Sequence, residues 1–217
     1  YITVKVSALG YEDIPTVEVG SDTIVQIGDV HYYVLANDGD KALLFAKESV
    51  ANSKFANSAS DGYNNSWETS EIRRYLNEEW INSQPTILQN NIIETRLYTG
   101  YALYYDNQPD KSHVIETLDK VFLLAPGDFD LNNYKDEYDP RLYTAGISGI
   151  AKTSIHSSER FYLRSTIVSL GNLRSFVLSG SSLAKSTDPT VVAAVRPAFW
   201  IKLPSSTSDG SNTTPAE

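Results

Sequence analysis

Asp128, Asp130, Asn132, Asp136 and Asp139 stand at the first, third, fifth, ninth and twelfth places of the stretch "DFDLNNYKDEYD". Oxygen-bearing side chains at that spacing are how a helix–loop–helix calcium site gathers its ligands. The sixth place holds Asn133 where such a loop has glycine, although asparagine tolerates the left-handed turn. The bidentate glutamate and the flanking helical patterns are missing. An acidic, solvated loop is the preferred reading. No cofactor is expected, and calcium is the one candidate weighed.

A second cluster is aromatic. "RLYTGYALYYDNQ" carries Tyr98, Tyr101, Tyr104 and Tyr105 and reads as a surface loop, with Asp106, Asn107 and Asp110 close behind. Tyrosine offers a flat apolar face and a polar tip at low entropic cost, which suits a contact surface. Sugar rings could stack there while the neighbouring oxygens take hydroxyls. The plainer reading is that two or three of these rings cover the core, since the chain has 14 tyrosines. Gln108-Pro109-Asp110 resembles the triplet by which galactose-type lectins hold calcium and sugar. Its usual downstream companion, Trp-Asn-Asp, is missing, and turn chemistry accounts for it.

Catalytic patterns are scarce. No Gly-x-Ser-x-Gly occurs, and His31, His113 and His156 are scattered without partners at motif spacing. His31 sits in a strand-like run and is expected to pack, whereas His113 and His156 fall in polar stretches. Cysteine is absent, which removes disulfides, thiolate nucleophiles and thiolate metal sites together. No catalytic residue is assigned, and the chain is not expected to be an enzyme.

Two arginines raise a different question. "FYLRS" (161–165) and "VRPAFW" (195–200) place Arg164 and Arg196 inside strand-like runs, in a chain with 18 basic residues. A guanidinium among aromatic rings can stack on them while its rigid donor fork binds a carboxylate or carbonyls. Structural tying of strand ends is the preferred role over ligand contact. Arg196 precedes Pro197, which holds it extended and removes a ladder donor. Trp67, Trp80 and Trp200 are likewise read as structural.

The elements that must position these residues follow from periodicity and turn chemistry. From about Ser21, three apolar runs are divided by Gly28-Asp29 and by Asn37 to Asp40, a β-meander. In "SWETSEIRRYLNEEWINS", Ile72, Tyr75, Leu76 and Trp80 form one helical stripe behind a Ser or Thr cap. A second helix is expected from Ser83, with Pro85 in its first turn and Leu88 and Ile92 inward. Residues 98–160 read as loop-rich apart from "KVFLLA" (120–125), a buried strand. Strands return in "RFYLRS", after whose Ser165 the chain should leave the sheet, then in "LRSFVLS" and "VVAAVRPAFWIKL". Strands at both ends with helices between them give an α+β class.

Composition bounds the setting. Of 217 residues, 41% are hydrophobic and 21% charged, enough to bury a core without staples. The net charge of −9 and the lack of a basic stripe argue against nucleic acid. No apolar run of about 18 residues exists to form a spanning helix. The chain opens at Tyr1, and residues 205–217 are small and polar, as in a flexible linker. The expected division is an extension or end of a preceding module (1–20), a folded domain (21–204) and a linker (205–217). The whole would be tethered to further modules in a longer chain.

Four segments in order carry a resemblance. "YNNSWETSEIRRYLNEEW", "DKVFLLA", "ERFYLRS" and "VRPAFWIKL" resemble an uncharacterised family of exported bacterial surface domains. Its members bear Trp-x-x-Ser-x-(Ile/Leu)-Arg-x-x-Leu-Asn, Val-Phe-Leu-Leu-Ser, Trp-Trp-Leu-Arg-Ser and Gly-Val-Arg-Pro-Ala. Trp67, Ser70, Ile72, Arg73, Leu76 and Asn77 match the first motif, and Val121 to Leu124 the second. Leu163 to Ser165 match the third and Val195 to Ala198 the fourth. Phe161-Tyr162 replace the paired tryptophans, and Ala194 replaces the glycine. The terminal Arg-Pro strand is similar to that of the formylglycine-generating-enzyme-like branch of the C-type lectin fold. The resemblance implies a C-type-lectin-like domain of twisted antiparallel sheets, two helices and long loops. It does not carry the oxidase activity, which needs cysteines. A non-enzymatic extracellular ligand-binding or display module of a bacterial surface protein is expected, with a glycan or host protein as ligand. A structural spacer and a hydrolase with a site assembled across the fold are the alternatives.

Overall fold

Alternating burial and two left-handed glycines build the first sheet. The computed structural model describes residues 10–16, 24–57, 66–105, 108–109, 114–125, 128, 160–169, 172–179 and 182–204. Strands β1 (Ile24–Ile27), β2 (Val30–Asp38) and β3 (Lys41–Ala46) form the meander. Gly28 and Gly39 have φ of 63° and 67° at its two turns, a region that side chains with a Cβ rarely enter. A Cβ on Gly28 would also stand 2.8 Å from Pro85 Cγ, so that turn is fitted to the start of a helix.

The chain then passes through β4 (Ala51–Ser53) to helix α1 (Glu71–Arg74). Ser70 caps α1 by accepting the Arg73 N–H, and a wide π turn (Tyr75–Trp80) and a 3-10 turn (Ile81–Ser83) prolong it. Ile72, Leu76 and Trp80 are buried along it, while Arg74 and Glu78 face water. Helix α2 (Thr86–Asn91) begins after Pro85, three residues later than the sequence suggests, because Gln84 and Pro85 are extended. Leu88 and Ile92 both lie inward as expected, Ile92 as the first residue of the short β5 (Ile92–Ile93).

The middle of the chain differs most from expectation. β6 (Thr95–Tyr105) is an 11-residue strand, paired antiparallel with β8 (Val114–Asp119) through its first half. Its second half pairs with β7 (Gln108–Pro109) and, in parallel, with β9 (Phe161–Ser169). Residues 121–125 are buried as expected, yet they form no strand: Phe122 makes a single bridge to Ala198. β9 runs on past Ser165 to Ser169, pairs with β10 (Asn172–Ser179), and β10 with β11 (Ser182–Thr187).

The last expected strand is two. β12 (Ala193–Val195) lies between β9 and β4, and β13 (Ala198–Lys202) lies between β3 and β5. The chain changes sheets at Arg196-Pro197, where proline lacks the donor a continuous ladder would need. Among the described residues the result is mixed α+β, with two helices and several sheets that are antiparallel except for the β6–β9 and β9–β12 pairings. The core fills the space between β2, β3, β9, β12, β13 and the helices, with Tyr32, Phe45, Phe161 and Phe199 at its centre. Burial raises the Tyr32 hydroxyl well above its ordinary range and pushes Tyr162 up to about 12. Tyr162 donates to the Val191 carbonyl. Residues 11–16 form a 3-10 turn whose Ile14 is buried in this core and whose Tyr11 donates to the Lys202 carbonyl.

Candidate functional site

The first sequence motif is a clasp between α1 and the end of β8. Trp67 Nε1 donates to Asp119 Oδ2 at 2.9 Å, and Arg73 Nε donates to Asp119 Oδ1 at 2.7 Å. The Thr117 hydroxyl adds a third donor to the same carboxylate, which is buried. Asn77 completes the clasp: its Oδ1 accepts the Lys120 and Val121 N–H groups, and its Nδ2 donates to the Arg73 and Val121 carbonyls. Residues 120–121 therefore satisfy their backbone on a side chain, which is why this buried run needs no ladder.

Beside the clasp lies an open groove of about 690 Å³, walled by the outer face of α1 and its extension, the end of α2, Glu94 and the end of β8. Amides and charges line it. Arg73, Arg74 and Lys120 face Glu68, Glu78, Glu94 and Asp119, a wall with one more negative than positive group. Arg74 is engaged by Glu71 and Glu79, whose hydrogen bonds hold its guanidinium above the ordinary range. Sequence reasoning missed most of this groove. Its one readable trace was the polar face opposite the Ile72–Leu76–Trp80 stripe.

The two strand arginines are both buried. Arg164 Nη1 donates to the Leu123 carbonyl at 2.9 Å and lies 3.4 Å from Asp128 Oδ2, with both side chains 1% exposed. Burial pulls the Arg164 pKa down, and Asp128 opposes that shift. Arg196 Nε donates to the Ala46 carbonyl at 3.0 Å, and its guanidinium lies 4.5 Å from the Phe45 ring and 4.7 Å from that of Phe161.

Asp128 departs from the solvated-loop reading. It is not a solvated loop oxygen, because its Oδ2 accepts the Ala125 N–H at 2.7 Å and faces Arg164. A carboxylate engaged in this way is a counter-ion of the core. Asp130, Asn132, Asp136 and Asp139 lie outside the described residues. Among the described residues no group of three or more His, Asp or Glu is gathered as for a metal ion.

The tyrosine segment is also corrected, from loop to strand. Tyr98 is half-buried opposite Glu116, Tyr101 pairs with Thr166, and Tyr104 with both Ser169 and Pro109. Tyr105 pairs with Gln108, so the four tyrosines share β6. Asp106, Asn107 and Asp110 lie outside the described residues, as do His113 and His156. His31 does not pack: it is half-exposed beside Glu48, with Nδ1 3.5 Å from the carboxylate. Trp67, Trp80 and Trp200 are all buried; Trp80 is tilted against Phe199, and Lys41 covers the Trp200 ring.

Residues 39–203 match the family described as "Domain of unknown function (DUF6273)", and the chain belongs to that family. The match begins in the β2–β3 turn and ends after β13, so it spans the clasp, the groove and both buried arginines. No curated protein and no solved structure matches the chain. No helix among the described residues is long and apolar enough to cross a membrane.

Proposed function

We propose that this DUF6273 domain is a non-enzymatic ligand-binding or display module, carried outside the cell by a bacterial surface protein. Its sheets and helices would follow the C-type-lectin-like arrangement, a rigid frame whose connections vary. The observation that supports binding most directly is β6. Four tyrosines fall on one strand that pairs along its length with β7, β8 and β9. A paired backbone needs little further ordering when a ligand binds, so more of the contact energy appears as affinity.

Tyr98, Tyr101, Tyr104 and Tyr105, with Asp106, Asn107 and Asp110, are the proposed contact surface for a glycan or a host protein. One such patch binds weakly, with Kd between about 1 mM and 1 μM. Repeated copies along a surface protein would raise the effective affinity through avidity. The experiment is a glycan and host-protein screen, repeated with Tyr101→Ala/Tyr104→Ala after circular dichroism shows an unchanged fold. Loss of the captured ligand supports the proposal; full retention moves the contact surface away from β6. A screen that captures nothing with multivalent protein would favour a spacer.

A further inference from the structure

The groove beside the α1–β8 clasp combines a fixed wall with unspent hydrogen-bonding groups. Arg73 is pinned by Asp119, the Glu68 carbonyl and the Leu118 carbonyl, and Asn77 by four hydrogen bonds. Around that wall, the side chains of Glu68, Glu94, Lys120 and Asn90 make no hydrogen bond or ion pair among the described residues. Asn82 uses its Nδ2 on the Glu78 carbonyl. Leu118, 50% exposed, is the apolar surface in this polar setting.

We infer that this groove is a second binding site, for a neutral oligosaccharide. Its volume lies within the range of about 300–1,000 Å³ common to small-ligand sites. A sugar hydroxyl both donates and accepts, so a row of them suits a wall of carboxylates, amides and one ammonium group. The C–H face of a pyranose ring would lie on Leu118. An anionic ligand, such as a phosphate or sulfated chain, would meet Lys120 as the one unengaged cation among the described residues of the groove, against Glu68 and Glu94. The cations Arg73 and Arg74 are already neutralised by Asp119 and by Glu71 and Glu79. A basic ligand would gain from Glu68 and Glu94 against repulsion from Lys120, which makes trilysine the rival probe in the test.

The site rests on the reading of the domain as a binding module, but not on the tyrosine strand. The test is NMR titration of the full chain with maltotriose, cellotriose, triacetylchitotriose, a sulfated trisaccharide and trilysine. The expected result is millimolar binding of at least one neutral trisaccharide, with shifts centred on Asn90, Glu94, Leu118 and Lys120. Glu94→Gln and Lys120→Ala, both at exposed positions, should each weaken it by about tenfold, the effect of one charge-assisted hydrogen bond. Binding of the sulfated sugar or trilysine in place of the neutral sugars overturns the inference. So does a neutral sugar whose shifts fall on β6 and whose affinity ignores both variants, although that outcome upholds the binding module itself. Silence from all five probes, with a ligand captured elsewhere on the domain, overturns the groove alone.

Discussion

Arg164 and Arg196 stand in the same core, equally buried, yet they are held by different physics. Arg164 faces a carboxylate and a carbonyl: Asp128 at 3.4 Å and Leu123 at 2.9 Å. Arg196 donates to the Ala46 carbonyl and lies against two rings, Phe45 and Phe161. The first ties β9 to Leu123 and Asp128, and among the described residues the run 121–125 makes only the Phe122 bridge to Ala198. The second sits where the chain steps from β12 to β13 and marks the join between sheets. A segment with little backbone pairing gains most from a charged partner, whereas at a sheet junction held by flanking strands the ring contacts and the Ala46 carbonyl fix the guanidinium in place.

The largest effect should therefore come from Arg164, not from the arginine beside proline. Arg164→Ala removes the cation that faces the buried Asp128, and breaking a buried pair on one side costs about 3–5 kcal/mol. Urea denaturation should show that loss, and Arg164→Ala/Asp128→Asn should recover part of it by removing the orphaned charge. Equal stability of the single and double variants would mean that Asp128 is not the group being stabilised. The lowered pKa of Arg164 fits this picture: burial outweighs the attraction of Asp128, so the pair anchors a position at a cost in solvation.

Arg196→Lys sharpens the contrast. Lysine keeps the charge but loses the flat face and the fork, so the two ring contacts weaken and the Ala46 carbonyl is met less well. A loss of about 2 kcal/mol in the same urea experiment is expected. Should Arg196→Lys instead match Arg164→Ala, the junction would depend on an ionic partner and the contrast between the two arginines would fail.

How much of this was legible in the chain depends on the range of the interactions. The β1–β2–β3 meander announces itself because Gly28 and Gly39 sit at turns whose geometry demands them. The α1 stripe and the Ser70 cap are legible for the same local reason. β6 and β8 were not, because Glu116 and Asp119 interrupt β8, and half of β6 is defined by a parallel neighbour beginning at Phe161. The run 121–125 gave the right burial and the wrong element, since Asn77 and Ala198 satisfy its backbone instead of a ladder. For the site, residue types pointed to β6, but the groove joins residues from Glu68 to Lys120 that no short window unites.

The smallest effects test whether partner and burial, not charge, decide what an arginine contributes. Arg73 and Arg74 are adjacent on α1. Arg73 donates to the buried Asp119, while Arg74 lies in water among Glu71, Glu78 and Glu79. Asp119 keeps Trp67 and Thr117 as donors when Arg73 is removed, so its buried carboxylate stays hydrogen-bonded. Arg73→Ala should thus cost about 1–2 kcal/mol, less than Arg164→Ala, with the deficit being one charge-assisted bond and two to carbonyls. Arg74→Ala should leave the urea midpoint unmoved despite three acidic neighbours, because exposed ion pairs gain in Coulomb energy little more than they lose in side-chain freedom. Both substitutions remove one positive charge from the same helix. A shared shift in midpoint would therefore mean that the acidic field of the domain, and not the clasp on Asp119, sets the value of each guanidinium.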